Sequence, residues 1–92
     1  MERAVLVYTT WPSIVEAERA GRTIVERRLG SCVNILPGMI VKTRASLAEQ
    51  VGATVKELHS YQTPAIMFLP VENVDPDYHR WIVQETAEAK AP

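Results

Sequence analysis

The sequence predicts an α+β domain with the split βαβ, or ferredoxin-like, arrangement: β-α-β-β-α-β followed by a C-terminal helix. Two observations predict it. Short apolar runs typical of strands alternate with longer segments in which apolar residues recur at helical spacing. The chain has 92 residues, of which 47% are hydrophobic and 23% charged, and this is enough for one domain with a single core.

The first half of the chain predicts a strand, a helix and a second strand. Residues 5–8 form an apolar run, and Ser13 and Glu16 have the spacing of a capping box that would start a helix. The helical stripe then consists of Ile14, Ala17, Gly21, Ile24, Val25 and Leu29. We expect Gly30 to end this helix as its C′ residue. Residues 32–36 predict the second strand.

The second half predicts two further strands and two helices. Residues 39–43 predict the third strand, and Ser46 with Glu49 forms a second capping box before an amphipathic helix. That helix carries its stripe on Leu47, Val51, Val55 and Leu58. Residues 65–69 predict the fourth strand. Asp75 followed by Pro76 is typical of a helix start, and residues 87–92 are expected to fray.

The junction between the second and third strands is unfavourable as written, because only Pro37 and Gly38 separate two strand-like runs. Two-residue hairpins prefer type I′ or II′ turns, whose twist matches that of the strands. Proline at the first turn position favours type I or II instead. We therefore expect that residues normally present at this junction are absent.

Two strands are apolar on both sides, which predicts self-association. Both crossover helices of this arrangement lie on one face of the sheet, so the strands should alternate between apolar and polar residues. Residues 5–8 and 65–69 do not alternate. An exposed apolar face of that size is unusual in a monomer, and we expect a second copy of the chain to cover it.

Composition excludes several classes of protein. A formal net charge of −1 without a basic cluster argues against nucleic-acid binding. The N-terminus lacks the features of a signal peptide, and no run approaches the length of a membrane span. A single cysteine excludes an internal disulfide and fits a reducing compartment, so we expect a cytoplasmic protein.

Cys32 and His59 are the candidate metal ligands. A cysteine thiolate is a soft ligand for copper or zinc, although a buried cysteine is more often a small apolar residue. His59 could bind through its imidazole, or it could stabilise the C-terminus of the preceding helix. His79 is expected to be solvated. No pair has metal-ligand spacing, and no catalytic motif is present, so we expect a binding protein and no enzyme.

Four segments resemble the CutA divalent-cation tolerance family. The run from Arg28 to Gly38, Arg-Leu-Gly-Ser-Cys-Val-Asn-Ile-Leu-Pro-Gly, resembles a motif with Ala-Cys-Val-Asn-Ile followed by Pro-Gly. Lys42-Thr43 resembles the end of the family's third strand. The segments at residues 59–64 and 78–81 resemble His-Pro-Tyr-Glu-x-Pro and Tyr-x-x-Trp. Ser60 and Gln62 depart from this pattern, at its proline and its glutamate.

This resemblance implies a single CutA-like domain over residues 1–92, assembled as a homotrimer with the PII-like trimeric architecture. It also implies a role in the response to divalent metal ions, with Cu(II) or another divalent cation bound and with Cys32 and His59 as the matching candidate ligands. The family continues past Pro-Gly into a long hairpin. About 15–20 residues are therefore expected to be missing between Ile40 and Val41.

A second hypothesis is a regulatory scaffold like the PII signalling trimers. In that case the clefts between subunits would bind a small molecule, and a loop would contact an unknown protein partner. Lys42, Tyr61 and Gln62 are the candidate contacts for such a ligand.

Overall fold

The computed structural model describes residues 2–36 and 38–88, and it confirms the predicted α+β fold. The elements in chain order are β1 (Ala4–Thr10), α1 (Ile14–Glu26), β2 (Cys32–Ile35), β3 (Gly38–Arg44), a short 3₁₀ turn (Ala45–Leu47), α2 (Ala48–Leu58), β4 (Ile66–Pro70) and α3 (Pro76–Glu85). The described strands form one antiparallel sheet in the order β2-β3-β1-β4. This is the strand order of the split βαβ arrangement.

The core lies between the central strands and the first two helices. Alternate residues of β1 and β3 point to the same side, and Val7, Met39 and Val41 are fully buried there. α1 contributes Ala20 and Ile24, and α2 contributes Val51 and Val55 of its predicted stripe. Leu47, the first residue of that stripe, is buried in the 3₁₀ turn before α2. Both helices therefore cover one face of the sheet, as the sequence predicts.

The ends of α1 differ from the sequence prediction. The Ser13 side chain accepts from the Glu16 amide at 3.2 Å, as a cap should, but the Glu16 carboxylate bonds to Ser60. Gly30 is not the C′ residue. Arg28 takes the left-handed conformation, with φ of 62°, and the Leu29 amide donates to the Ile24 carbonyl at 3.1 Å. This is a Schellman motif closed by an arginine.

Gly30 is required for packing and not for backbone conformation. A Cβ atom at this position would lie 2.5 Å from Cγ1 of Val41, which is fully buried. No described glycine has a positive φ. The close approach of the segment after α1 to β3 therefore explains this glycine.

The prediction of a second capping box, at Ser46 and Glu49, is wrong. α2 begins after Leu47 with no side-chain cap, and the turn before it is 3₁₀. Ser46 instead bonds to Glu2, whose carboxylate accepts from the Ser46 amide at 2.7 Å and from Arg44 at 2.7 Å. Burial raises the pKa of Glu2, but these hydrogen bonds outweigh it, and the pKa is lowered from 4.5.

α3 begins as predicted and packs on the second face of the sheet. The Asp75 carboxylate accepts from the amides of Asp77 and Tyr78, and proline follows the cap. The Arg44 guanidinium donates to the hydroxyl and carbonyl of Thr86, both at 2.9 Å. Residues 86–88 form a turn, and the rest of the predicted frayed tail lies outside the described residues.

α3 leaves part of this second face uncovered, over β1 and β4. The register places Leu6 opposite Leu69 and Tyr8 opposite Met67. On the other neighbour of β1, strand β3, Ile40 lies opposite Tyr8. We call these five residues the open-face patch. Met67 is 53% exposed and Leu69 46%, so the two-sided apolar character read from the sequence corresponds to a real apolar surface.

The junction after β2 is closed tightly. β2 pairs with β3 from Cys32–Lys42 to Ile35–Met39, and the Leu36 amide donates to the Gly38 carbonyl at 2.7 Å. Pro37, on which the turn prediction depends, lies outside the described residues. β3 continues through Ile40 and Val41 and pairs with all of β1. None of the described helices is long and apolar enough to cross a membrane.

Replacing Gly30 by alanine should lower the free energy of unfolding by about 2 kcal/mol, because the new Cβ overpacks the core against Val41. Gly52→Ala is the matched control. Its nearest contact, at 2.9 Å, is the end of the exposed Phe68 ring, which can move, and α2 gains helix propensity. Urea unfolding of both variants measures the difference, and equal effects would contradict the packing role of Gly30.

Candidate functional site

The Cys32 thiol lies at the edge of the sheet, beneath α3. It is half-buried on the second face, and its Sγ atom is 3.4 Å from the Tyr78 hydroxyl. The Tyr78 ring stacks on Trp81, with ring centroids 5.8 Å apart. The hydrogen bond to Cys32, together with burial, raises the pKa of Tyr78 to about 12. The phenol therefore stays protonated at neutral pH and accompanies the thiol as a neutral group.

Lys42 is the basic residue that pairs with Cys32 in the sheet. The two residues are directly opposite each other on β3 and β2. Side chains of such a pair share one face, with Cβ atoms about 5 Å apart. The Lys42 ammonium contacts the side-chain carbonyl of Asn34, two residues along β2. Cys32, Asn34, Lys42 and Tyr78 thus form one polar group, which we call the thiol cluster.

His59 lies at the C-terminus of α2, and both of its ring nitrogens are engaged. Nε2 is 2.7 Å from the carbonyl oxygen of Thr10, and the Tyr61 amide donates to Nδ1 at 3.0 Å. These partners require the neutral tautomer that carries its proton on Nε2. The ring is buried and stacks on Trp11 at 4.2 Å. In this arrangement His59 joins the end of β1 to the segment after α2.

The structure does not bring Cys32 and His59 together within one chain. Lys42, opposite Cys32, pairs with Leu6, whereas His59 bonds to Thr10. The four-residue offset along β1 corresponds to about 13 Å. Among residues 2–36 and 38–88, no group of three or more His, Cys, Asp or Glu side chains could hold a metal ion.

The candidate ligand contacts Lys42, Tyr61 and Gln62 are divided in the same way. Tyr61 and Gln62 are exposed and follow His59, with the Tyr61 ring 4.9 Å from the imidazole. Lys42 belongs to the thiol cluster. A single chain therefore does not form a cleft from these three residues.

Sequence reasoning missed two contacts, one in the thiol cluster and one outside it. Tyr78 follows the helix start at Asp75-Pro76, but no local pattern shows that its side chain meets Cys32, 46 residues earlier. His79 was expected to be solvated, yet its Nε2 lies 2.6 Å from the Glu2 carbonyl. Among the contacts of the thiol cluster, only the Cys32–Lys42 pair could have been predicted from the sequence. It follows from counting residues along β2 and β3 outward from a tight turn.

A family model described as CutA1 divalent ion tolerance protein matches the chain in two stretches, residues 5–40 and 38–85. Together these stretches contain the thiol cluster, His59 and all the described strands and helices except the first residue of β1. The similarity therefore extends over the whole fold.

Individual relatives agree with the family match. The divalent-cation tolerance protein CutA of Pyrococcus horikoshii is 34% identical over 99 residues, covering 89% of this chain and 97% of that protein. The protein of the same name from Archaeoglobus fulgidus is 37% identical, with 89% and 96% coverage. The crystal structure of CutA1 from Oryza sativa superposes with a TM-score of 0.89 at 27% identity, covering 92% and 94% of the two chains.

Replacing His59 by alanine should lower the free energy of unfolding by about 3 kcal/mol, because it removes a stacked ring and leaves the Thr10 carbonyl and the Tyr61 amide without partners. His59→Gln should recover part of this loss by keeping polar atoms near both partners. Urea unfolding in the presence of a chelator excludes any contribution from metal. A His59→Ala variant as stable as the wild type would contradict the supporting role of this ring.

Proposed function

The chain belongs to the CutA1 divalent ion tolerance family, and we propose that it acts in the tolerance of divalent metal ions as a cytoplasmic homotrimer that binds copper. The observation that carries the proposal is the family match from residue 5 to residue 85, within which Cys32 keeps a partly accessible thiol. Both archaeal relatives carry divalent-cation tolerance in their names.

Copper is expected to contact Cys32. A thiolate is the softest ligand that the chain offers, and soft ligands favour copper. The Tyr78 hydroxyl is adjacent, but its high pKa makes it a poor anionic ligand. One thiol does not make a complete site. We therefore place the remaining ligands on a neighbouring subunit, across the second face of the sheet.

His59 is proposed to support this site from a distance. Each ring nitrogen already has a partner, so a metal ion at either nitrogen would have to displace a hydrogen bond of a buried ring. The two candidate ligands of the sequence analysis thus receive different roles. Cys32 is the proposed metal contact, and His59 holds together the end of β1 and the segment after α2.

Trimer formation is supported by the open-face patch. Its residues form a continuous apolar strip across β3, β1 and β4, next to the thiol cluster. A second subunit that covers the strip would also approach Cys32. Assembly and metal binding would then use the same face.

The remaining parts of the proposal are location and the lack of catalysis. A chain with one cysteine needs no oxidising compartment to fold, which supports a cytoplasmic location. The thiol cluster contains no paired acids and no base hydrogen-bonded to the thiol. A binding role is the simpler one for such a group.

Cys32→Ser should weaken copper binding at least tenfold, which corresponds to about 1.4 kcal/mol. Serine keeps approximately the size of the side chain and a hydrogen-bonding group towards Tyr78, but it replaces the soft sulfur by a hard oxygen. His59→Gln, which leaves the thiol cluster intact, should bind copper with nearly wild-type affinity. Anaerobic competition titrations with a chromogenic chelator measure both variants, and Zn(II) serves as a redox-inert comparison.

Unchanged affinity in the Cys32→Ser variant would remove this thiol from the copper site. A tenfold loss in His59→Gln, with an unchanged circular dichroism spectrum, would instead place His59 among the ligands.

Leu69→Glu should dissociate the trimer, because it places a charge within the open-face patch, on the edge strand β4. Val15→Glu is the matched control, since Val15 is 65% exposed on α1, on the opposite face of the sheet. Sedimentation equilibrium should show a trimer for the wild type and for the control, and smaller species for Leu69→Glu. A wild-type monomer at micromolar concentration would overturn the trimer proposal.

A further inference from the structure

The family match is interrupted at one place. The first stretch ends at residue 40 and the second begins at residue 38, so residues 38–40 belong to both. The alignments with the two archaeal relatives run over 99 positions but cover 89% of this 92-residue chain, or about 82 residues. About 17 positions of the alignments therefore have no counterpart in this chain.

The position of the interruption determines the shape of what is missing. Residues 38–40 begin β3, directly after the turn from β2. Extra residues between two antiparallel partners lengthen both strands of the hairpin. Seventeen residues divided into two strands of about seven and a short turn would project about 23 Å beyond the end of the sheet.

β3 is a regular strand across this position, although the arm is absent. Met39, Val41 and Thr43 are fully buried on the helix side, while Ile40 and Lys42 lie on the other face. β3 pairs with β1 over seven residues without a bulge. Residues 38–40 match the family model both before and after the interruption. These three residues therefore correspond to two separate places in the family's sequence.

An apolar groove lies at the end of the sheet from which such an arm would project. It has a volume of about 380 Å³, and its lining includes Trp11, Pro12, Ile14, Ile35, Leu36 and Gly38. Ile14 is 64% exposed and Leu36 67%, among the highest values for large apolar side chains in the described residues. We call it the end groove.

We infer that this chain is a short-arm form of the family, in which a β2–β3 hairpin arm of about 17 residues is absent and the end groove, covered by the base of that arm in relatives, is left exposed. Gly38 is both a wall of the groove and the first of the residues at the interruption, so the base of an arm that extends from there would lie at the groove, beside Ile14. The inference extends the family assignment and does not depend on copper binding.

Grafting tests this inference. The segment that the Archaeoglobus fulgidus relative carries at this position is inserted between Ile40 and Val41 in a Trp81→Phe background, so that Trp11 is the single tryptophan. A Gly/Ser insert of equal length is the control. The natural segment, and not the control, should shift Trp11 emission to shorter wavelength, reduce the binding of an apolar dye, and slow hydrogen exchange at Leu36 and Ile14.

Emission, dye binding and exchange that are the same in the two insertion variants would overturn the assignment of the groove to the arm. The reciprocal deletion in the relative keeps the test decisive if the graft does not fold. The shortened relative should retain its circular dichroism spectrum and bind more dye. Loss of its fold would overturn the inference, because the arm of the relative would then be a part of its core and not only a cover for the groove. Copper binding enters none of these measurements, so their failure is distinguishable from failure of the proposed function.

Discussion

The pairing of β1 with β3 is the constraint on which the rest of this structure depends. Seven consecutive residue pairs join the two central strands, and the period of two in a strand assigns every side chain to one face or the other. One face receives Val7 and Val41, both fully buried under α1 and α2. The other receives Leu6, Ile40 and Lys42. A shift of one residue in the register of a strand would turn its core side chains to the second face and its side chains in the candidate site towards the helices.

Sequence reasoning could predict the elements, because their signals are local. Apolar runs and helical stripes located the four strands and the first two helices to within about two residues, and Asp75-Pro76 marked the start of α3 correctly. The helix caps were less predictable. Ser46 has the local pattern of a cap but bonds to Glu2, 44 residues away, and Glu16 likewise bonds to Ser60. A polar side chain with a distant partner looks the same in sequence as one with a local partner.

The candidate site was only half predictable for the same reason. Cys32 and His59 were selected by residue type, which indicates what a side chain can bind but not whether its atoms are free. The surrounding fold makes His59 a buried connector with two hydrogen bonds, whereas Cys32 keeps a partly accessible sulfur. The partner Tyr78 arrives from α3 through long-range packing, which no spacing within the sequence encodes.

The geometry of the hairpin also explains how the thiol cluster is independent of the length of the arm. Cys32 and Lys42 pair at the end of β2 far from the turn, and Ile35 and Met39 form the last pair before it. Residues inserted between Ile40 and Val41 lengthen the hairpin beyond the Val33–Val41 pair and leave that pair and the Cys32–Lys42 pair in register. The arm can therefore shorten while Cys32, Lys42 and Asn34 keep their mutual positions. What changes is the far end of the sheet, where apolar side chains become exposed.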